Sequence, residues 1–200
     1  MNRILMAAME ILSAAVILIP VNLVLNRLWF RSWKKTVLYC LFSFYLVAVY
    51  VLVGLPSVVH VRLDANINWI PIAGLTGDLK NALLNVALFV PLGIFLPVLC
   101  GYYAKGSRTM VFSLAMSALI EGLQIFTYRA TDVNDLITNT LGAWIGYLLW
   151  KLMLRNRNGY AQQTAEQSCG ELYMVCGVTF AAMFFIQPFL SGFLWNGILY

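Results

Sequence analysis

Along the chain, apolar blocks close to 20 residues long alternate with short polar stretches. That spacing is far longer than the two-residue alternation of a strand or the 3.6-residue stripe of a half-exposed helix. Blocks of this length match the hydrocarbon thickness of a bilayer. They predict spanning helices over residues 4–25, 36–55, 81–100, 110–128, 135–154 and 172–190, the last followed by an apolar tail to Tyr200. The expected fold class is an all-α polytopic membrane protein with about six transmembrane helices, or five if the last segment does not cross. The whole chain, residues 1–200, reads as a single integral-membrane domain. Pro20 is tolerable inside the first block because neighbouring helices can satisfy the carbonyl that it frees. That block lacks the short apolar region, cleavage site and polar mature start of a cleaved signal peptide.

Composition sharpens the picture. The chain is 62% apolar and only 10% charged, whereas soluble domains carry about 25% charged residues. The net charge of +5 therefore speaks to topology. Arg27, Arg31, Lys34 and Lys35, interleaved with Trp29 and Trp33, share one side with Lys105, Arg108, Lys151, Arg155 and Arg157. Arg3, Arg62, Lys80 and Arg129 fall on the other. The positive-inside rule makes the richer side cytoplasmic and turns both termini and loops 57–80 and 128–135 outward. No basic run is long enough to line a nucleic-acid groove, so no nucleic-acid partner is expected.

Other chemistries find no foothold. Cys40, Cys100, Cys169 and Cys176 show neither a CxxC pair nor a zinc spacing. On this topology they lie in spans or toward the cytoplasm, so free thiols are expected. His60 reads as a loop histidine without ligand partners. There is no GxSxG elbow, no HExxH and no glycine-rich phosphate loop.

One stretch breaks the apolar pattern. Between residues 120 and 146 stand Glu121, Gln124, Arg129, Asp132, Asp135 and Asn139, which hold three of the chain's eight carboxylates. Polar groups at that density in or beside membrane helices are costly and point to a site. Glu121, in mid-helix, has no capping role. It is either half of an ion pair, with Arg129 the nearest partner, or a catalytic or binding group. Asp132 and Asp135 read either as capping and first-turn carboxylates favoured by the helix dipole or as a pair holding Mg²⁺ against a diphosphate, with Arg129 on the phosphates. No other cofactor is called for.

Depth supports a shared site. At 1.5 Å per residue, Glu121 lies about 10 Å below the outer end of its span, Asn139 about 6 Å, Asn85 about 7 Å and Glu10 about 9 Å. A polar cluster toward the extracellular side follows. Glu121 and Gln124, Asp132 and Asp135, and Asp135 and Asn139 are spaced to share faces if helical. Gly142 and Gly146 form a small-xxx-small pair that permits close helix packing.

A family pattern runs through the same residues. Asn68-Trp69-Ile70-Pro71, Asn85 with Phe89-Val90-Pro91-Leu92-Gly93, and then Glu121, Gln124, Arg129, Asp132, Asp135, Asn139, Gly142 and Gly146 together resemble the VanZ-like family over residues 66–150. The resemblance implies a multi-pass protein of the bacterial plasma membrane that acts near cell-wall precursors and lowers susceptibility to teicoplanin, a lipidated glycopeptide. Membrane lipids are the expected partners, and a lipid-linked precursor or the lipoglycopeptide itself is the expected ligand. Asn68, Asn85 and Glu10 are candidate binding residues. The alternative is an integral-membrane enzyme modifying a lipid-linked phosphate or surface lipid, with Glu121 as general acid or base and the Asp132/Asp135 pair at the metal. A small transporter is a third class, although no inverted repeat is visible.

Overall fold

The computed structural model describes residues 3–59, 61, 67–68, 79–127, 131–153 and 169–199. At 3–8, 67–68, 131–132 and 195–199 it describes the backbone alone. Almost everything described is helical, and four helical stretches are long and apolar enough to cross a membrane: Met9–Phe30, Trp33–Val53, Leu79–Leu99 and Gly170–Leu194. The chain forms two compact units, residues 1–61 with 170–200 and residues 62–169.

The first unit holds α1 (Arg3–Leu25), α2 (Trp33–Val53), α6 (Gly170–Ala181) and α7 (Gln187–Leu199). α1 runs into a π-helical turn at Asn26–Phe30. The reversal into α2 is closed by Asn26, whose backbone carbonyl accepts from the Arg31 N–H at 2.8 Å and whose side-chain oxygen accepts from the Ser32 N–H at 3.0 Å. Arg31 there takes the left-handed conformation, φ 48°. Ala14 and Leu18 of α1, Val47 and Tyr50 of α2, and Ala182 and Met183 of the π turn joining α6 to α7 make the core. Polar contacts cross the same helices. Asn22 donates to Ser43 Oγ at 3.3 Å, and Gln187 donates to Ser13 Oγ at 3.3 Å. The Lys35 ammonium meets the Glu171 carboxylate at 3.1 Å, and Tyr39 donates to the same carboxylate at 3.2 Å.

The second unit holds α3 (Leu79–Leu99), α4 (Gly106–Gln124) and α5 (Val133–Met153). Three glycines decide its packing. A methyl group added at Gly142 would strike the Val86 carbonyl, one at Gly146 the Val90 carbonyl, and one at Gly93 the Ala143 carbonyl. The contact thus advances four residues at a time along both helices, so α3 and α5 run parallel with their backbones touching. This is the small-residue packing expected of the pair Gly142 and Gly146, with Gly93 as its counterpart on α3. α4 lies against α5 in the opposite sense: Gly106 abuts Trp144 and Tyr147, whereas Ser117 reaches Asn139. A two-residue parallel ladder, β1 (Ile67–Asn68) with β2 (Thr131–Asp132), belongs to the same unit.

α4 and α5, with 19 and 21 residues, are long enough to span but less apolar on average. The average hides a segregation. Away from the charged helix ends at Arg108 and Lys151, Thr109, Ser113, Ser117, Glu121 and Gln124 on α4 and Asn134, Thr138 and Asn139 on α5 are buried, and Val111, Leu114 and Leu119 on α4 and Ile137, Leu141, Ile145 and Leu152 on α5 are exposed. The lipid-facing surface is therefore apolar even though the helices are not.

One expectation is overturned. Cys100, which follows α3, is disulfide-bonded to Cys169, 69 residues on, with the two Cα atoms 5.4 Å apart. The pairing escaped the sequence because only the fold brings such distant positions together, and a spacing rule looks for neighbours. Cys40 and Cys176 are free thiols, as expected.

Candidate functional site

The polar residues of α4 repeat at turn spacing. Thr109, Ser113, Ser117 and Glu121 follow one another in steps of four, with Gln124 three further on, and all five are buried. Steps of three and four keep residues on one helix face, so a single polar stripe runs the length of α4. It faces α5, whose Asn134, Thr138 and Asn139 are also buried. The Asn139 amide donates to Ser117 Oγ at 2.9 Å. Ser117 in turn points its hydroxyl toward the Asp135 carbonyl at 3.5 Å. Thr138 donates to the Asn134 carbonyl at 3.1 Å and approaches that of Asp135 at 3.3 Å. Thr109 closes the far end by donating to the Tyr103 carbonyl at 2.8 Å.

Two atoms in this seam stand out. Ser113 Oγ and Asn139 Oδ1 are fully buried and have no hydrogen-bond partner among the described residues. A buried polar atom left unpaired costs about 1–3 kcal/mol, so native structures pair nearly all of them with protein or water. A buried carboxyl adds a further cost unless it is paired or hydrogen-bonded. Glu121 is 4% exposed, in the last turn of α4. A small polar ligand or water would satisfy the unpaired atoms, and Glu121 supplies the seam with an acid–base group.

The expected site residues assemble only in part. Glu121, Gln124 and Asn139 lie in the seam. Asp135 is half-buried in the first turn of α5, where a carboxylate is favoured by the helix dipole. Asp132 belongs to β2 and precedes the helix, so it does not share a helical face with Asp135 as the spacing alone suggested. Asn68 pairs with Asp132 in the ladder. That juxtaposition joins two motif segments 64 residues apart, and nothing in either segment announces it. Asn85 is half-buried on α3, next to the Val86 carbonyl that meets Gly142. By the α3–α5 register, Asn85 and Asn139 stand within about 3 Å of each other along the helix axes. Glu10 is on α1, in the other unit, and Arg129 and His60 lie outside the described residues. Among the described residues no three histidine, cysteine or carboxylate side chains converge on a point where a metal could sit.

Sequence reasoning missed Thr109, Ser113, Ser117, Asn134 and Thr138. Hydroxyl residues are common in membrane helices and weak signals singly, but their four-residue spacing up to Glu121 was a readable one.

Apolar outer faces, backbone-close helices and a polar seam between two of them define an all-α membrane protein. A family model described as VanZ/LLP1 matches residues 42–154, more than half of the chain, and the chain belongs to that family. It is 36% identical over 87 residues to Protein VanZ of Enterococcus faecium, an alignment covering 42% of this chain and 52% of that protein. The chain thus spans about half the length of this curated relative. No solved structure matches. The family match takes in the whole of α3, α4 and α5, which is where the seam lies.

Proposed function

We propose that this chain is a multi-pass protein of the bacterial plasma membrane that lowers susceptibility to teicoplanin-type lipoglycopeptide antibiotics. It acts at the outer leaflet, on or near lipid-linked cell-wall precursors. The observation that carries this reading is the α4–α5 seam, with two buried polar atoms awaiting a partner. Gln124, Asn134, Asp135 and the Asn68–Asp132 pairing all belong to the end where α5 begins, which the distribution of basic residues turns outward. Family membership and the likeness to Protein VanZ support the same role. The test is the susceptibility of a sensitive Gram-positive host with and without the chain, to teicoplanin and to a glycopeptide without a lipid tail. Protection against the lipidated drug alone supports the reading, and equal susceptibility with and without the chain refutes it.

A second reading draws on Glu121. A buried carboxyl suits general acid–base work on a lipid-linked phosphate. Asp135 with Asp132 would then hold Mg²⁺, which needs only one or two protein carboxylates when substrate phosphates complete its shell. The two readings part at Glu121→Gln, which keeps shape and hydrogen bonding but removes the titrating group. A binding protein keeps its protective effect with this change, whereas an enzyme loses it together with any modified lipid seen by mass spectrometry of membrane extracts.

A further inference from the structure

We propose that a groove between α4 and α5 seats one acyl chain of a bilayer phospholipid from the leaflet on the side where α5 begins. The groove is open and shallow, offers about 370 Å³ and is lined by Met110 and Leu114 from α4 and by Leu136, Ile137, Thr140, Leu141 and Trp144 from α5. Thr140 is the one hydroxyl in this lining, and it is satisfied by donating to the Leu136 carbonyl at 2.7 Å. The lining therefore asks nothing polar of its occupant. It lies on the apolar outer surface of the two helices, where Leu114, Ile137 and Leu141 are 45–49% exposed.

Length identifies the occupant. From Leu136 to Trp144 the groove extends about 12 Å along α5, beginning roughly one turn from its N-terminus. Half of a 30 Å hydrocarbon core is about 15 Å, so the groove is one leaflet long and begins at one leaflet's edge. Width argues the same way. A helix about 10 Å across would fill roughly 1,000 Å³ over that length, well over twice the space present, so a second copy of the chain does not fit. In hydrocarbon there is no hydrophobic drive into a groove, and residence is set by van der Waals contact. A chain lying between two helices touches both and gains more of it than one on a single helix face. Among hydrocarbon chains, those of phospholipids are present in greatest excess in a bilayer.

The groove also runs beside the polar seam. Leu114 follows Ser113, Leu136 follows Asp135, and Thr140 follows Asn139, so the chain would lie one residue round from the buried hydroxyls and amides. Its head group would then stand at the level of Gln124 and Asn134. The proposal stands apart from the resistance reading, because an acyl site here needs no antibiotic.

The test uses the full chain in nanodiscs of phosphatidylcholine doped with phosphatidylglycerol that carries a diazirine at mid-chain. After illumination, adducts are mapped by mass spectrometry. The expected result is adducts several-fold enriched on residues lining the groove relative to Leu119, Ile145 and Leu152, which are 56%, 37% and 74% exposed, after normalising to exposure. Unlabelled phosphatidylglycerol should compete them away. Leu141→Trp should abolish the groove adducts, and Leu119→Trp should not. Leu114→Trp fills the groove from the α4 side and serves as a second blocking variant, with helicity and detergent resistance checked for each. Adducts in proportion to exposure over all helices would overturn the proposal. So would groove adducts displaced by a polyprenyl phosphate and not by phosphatidylglycerol.

Discussion

The contact between α3 and α5 makes a sharp demand on one residue. At Gly146 a methyl group would fall on the Val90 carbonyl, 2.9 Å from its carbon and 3.1 Å from the Gly93 Cα. All of these are backbone atoms, so no side chain can turn aside, and relief requires the two helices to part. Overpacking a tight core costs about 1–3 kcal/mol, and a backbone-on-backbone clash belongs at the upper end, a change of roughly a hundredfold in the folding equilibrium. Gly122 on α4 is the control, since nothing lies within 4 Å of a methyl group placed there. Alanine at that helical position should stabilise by about 0.5–1 kcal/mol through reduced backbone entropy. The assay is unfolding of the full chain in bicelles titrated with dodecyl sulfate, followed by circular dichroism and tryptophan fluorescence. Gly146→Ala should unfold at clearly lower detergent fraction than wild type, and Gly122→Ala at equal or higher. Equal destabilisation by both substitutions, or none at Gly146, would refute the packing argument.

Three further expectations use the same assay or simple chemistry. Ser117→Ala strips the Asn139 amide of its acceptor and should cost about 1–3 kcal/mol, and adding Asn139→Leu should recover most of that; strictly additive losses would show that the pair is not coupled. Removing the carboxylate by Glu171→Gln should cost about 1 kcal/mol, since its pairing with Lys35 is partly exposed. The loss should shrink at high salt and in a Lys35→Met background. Maleimide added to denatured whole cells should label Cys40 and Cys176 directly, whereas the disulfide-bonded Cys100 and Cys169 should label only after reduction. Labelling of all four without reduction would show that the bond does not form in the cell.

Much of the helical scaffold was legible because apolar length alone specifies it, and the errors have physical causes. α2 begins at Trp33 and α3 at Leu79, ahead of the apolar blocks, because Lys34, Lys35 and Lys80 can extend a helix into the interface where charge is tolerated. α4 begins at Gly106 and ends at Gln124, so the block predicted over 110–128 is shifted toward its start. Hydropathy reports burial in hydrocarbon and is silent on where hydrogen bonding begins. Glu121, Gln124 and Asn139, all buried in the fold, stood out in the sequence because charge and amide groups are conspicuous in an apolar chain. Ser113 and Ser117 did not stand out singly, since a serine hydroxyl ordinarily satisfies itself within its own helix, and only their four-residue spacing marked them. The Asn68–Asp132 pairing and the Cys100–Cys169 bond depend on long-range contacts that no local pattern encodes.

The most direct test of the seam as the working site is a susceptibility panel in a sensitive Gram-positive host. It compares wild type, Glu121→Gln, Asp135→Asn and Ser113→Ala, all matched for membrane level, against teicoplanin and a glycopeptide without a lipid tail. The account predicts that wild type protects against teicoplanin and that at least one seam substitution removes the protection while leaving insertion and unfolding behaviour intact. Full protection by every variant would contradict it and leave the seam as packing alone.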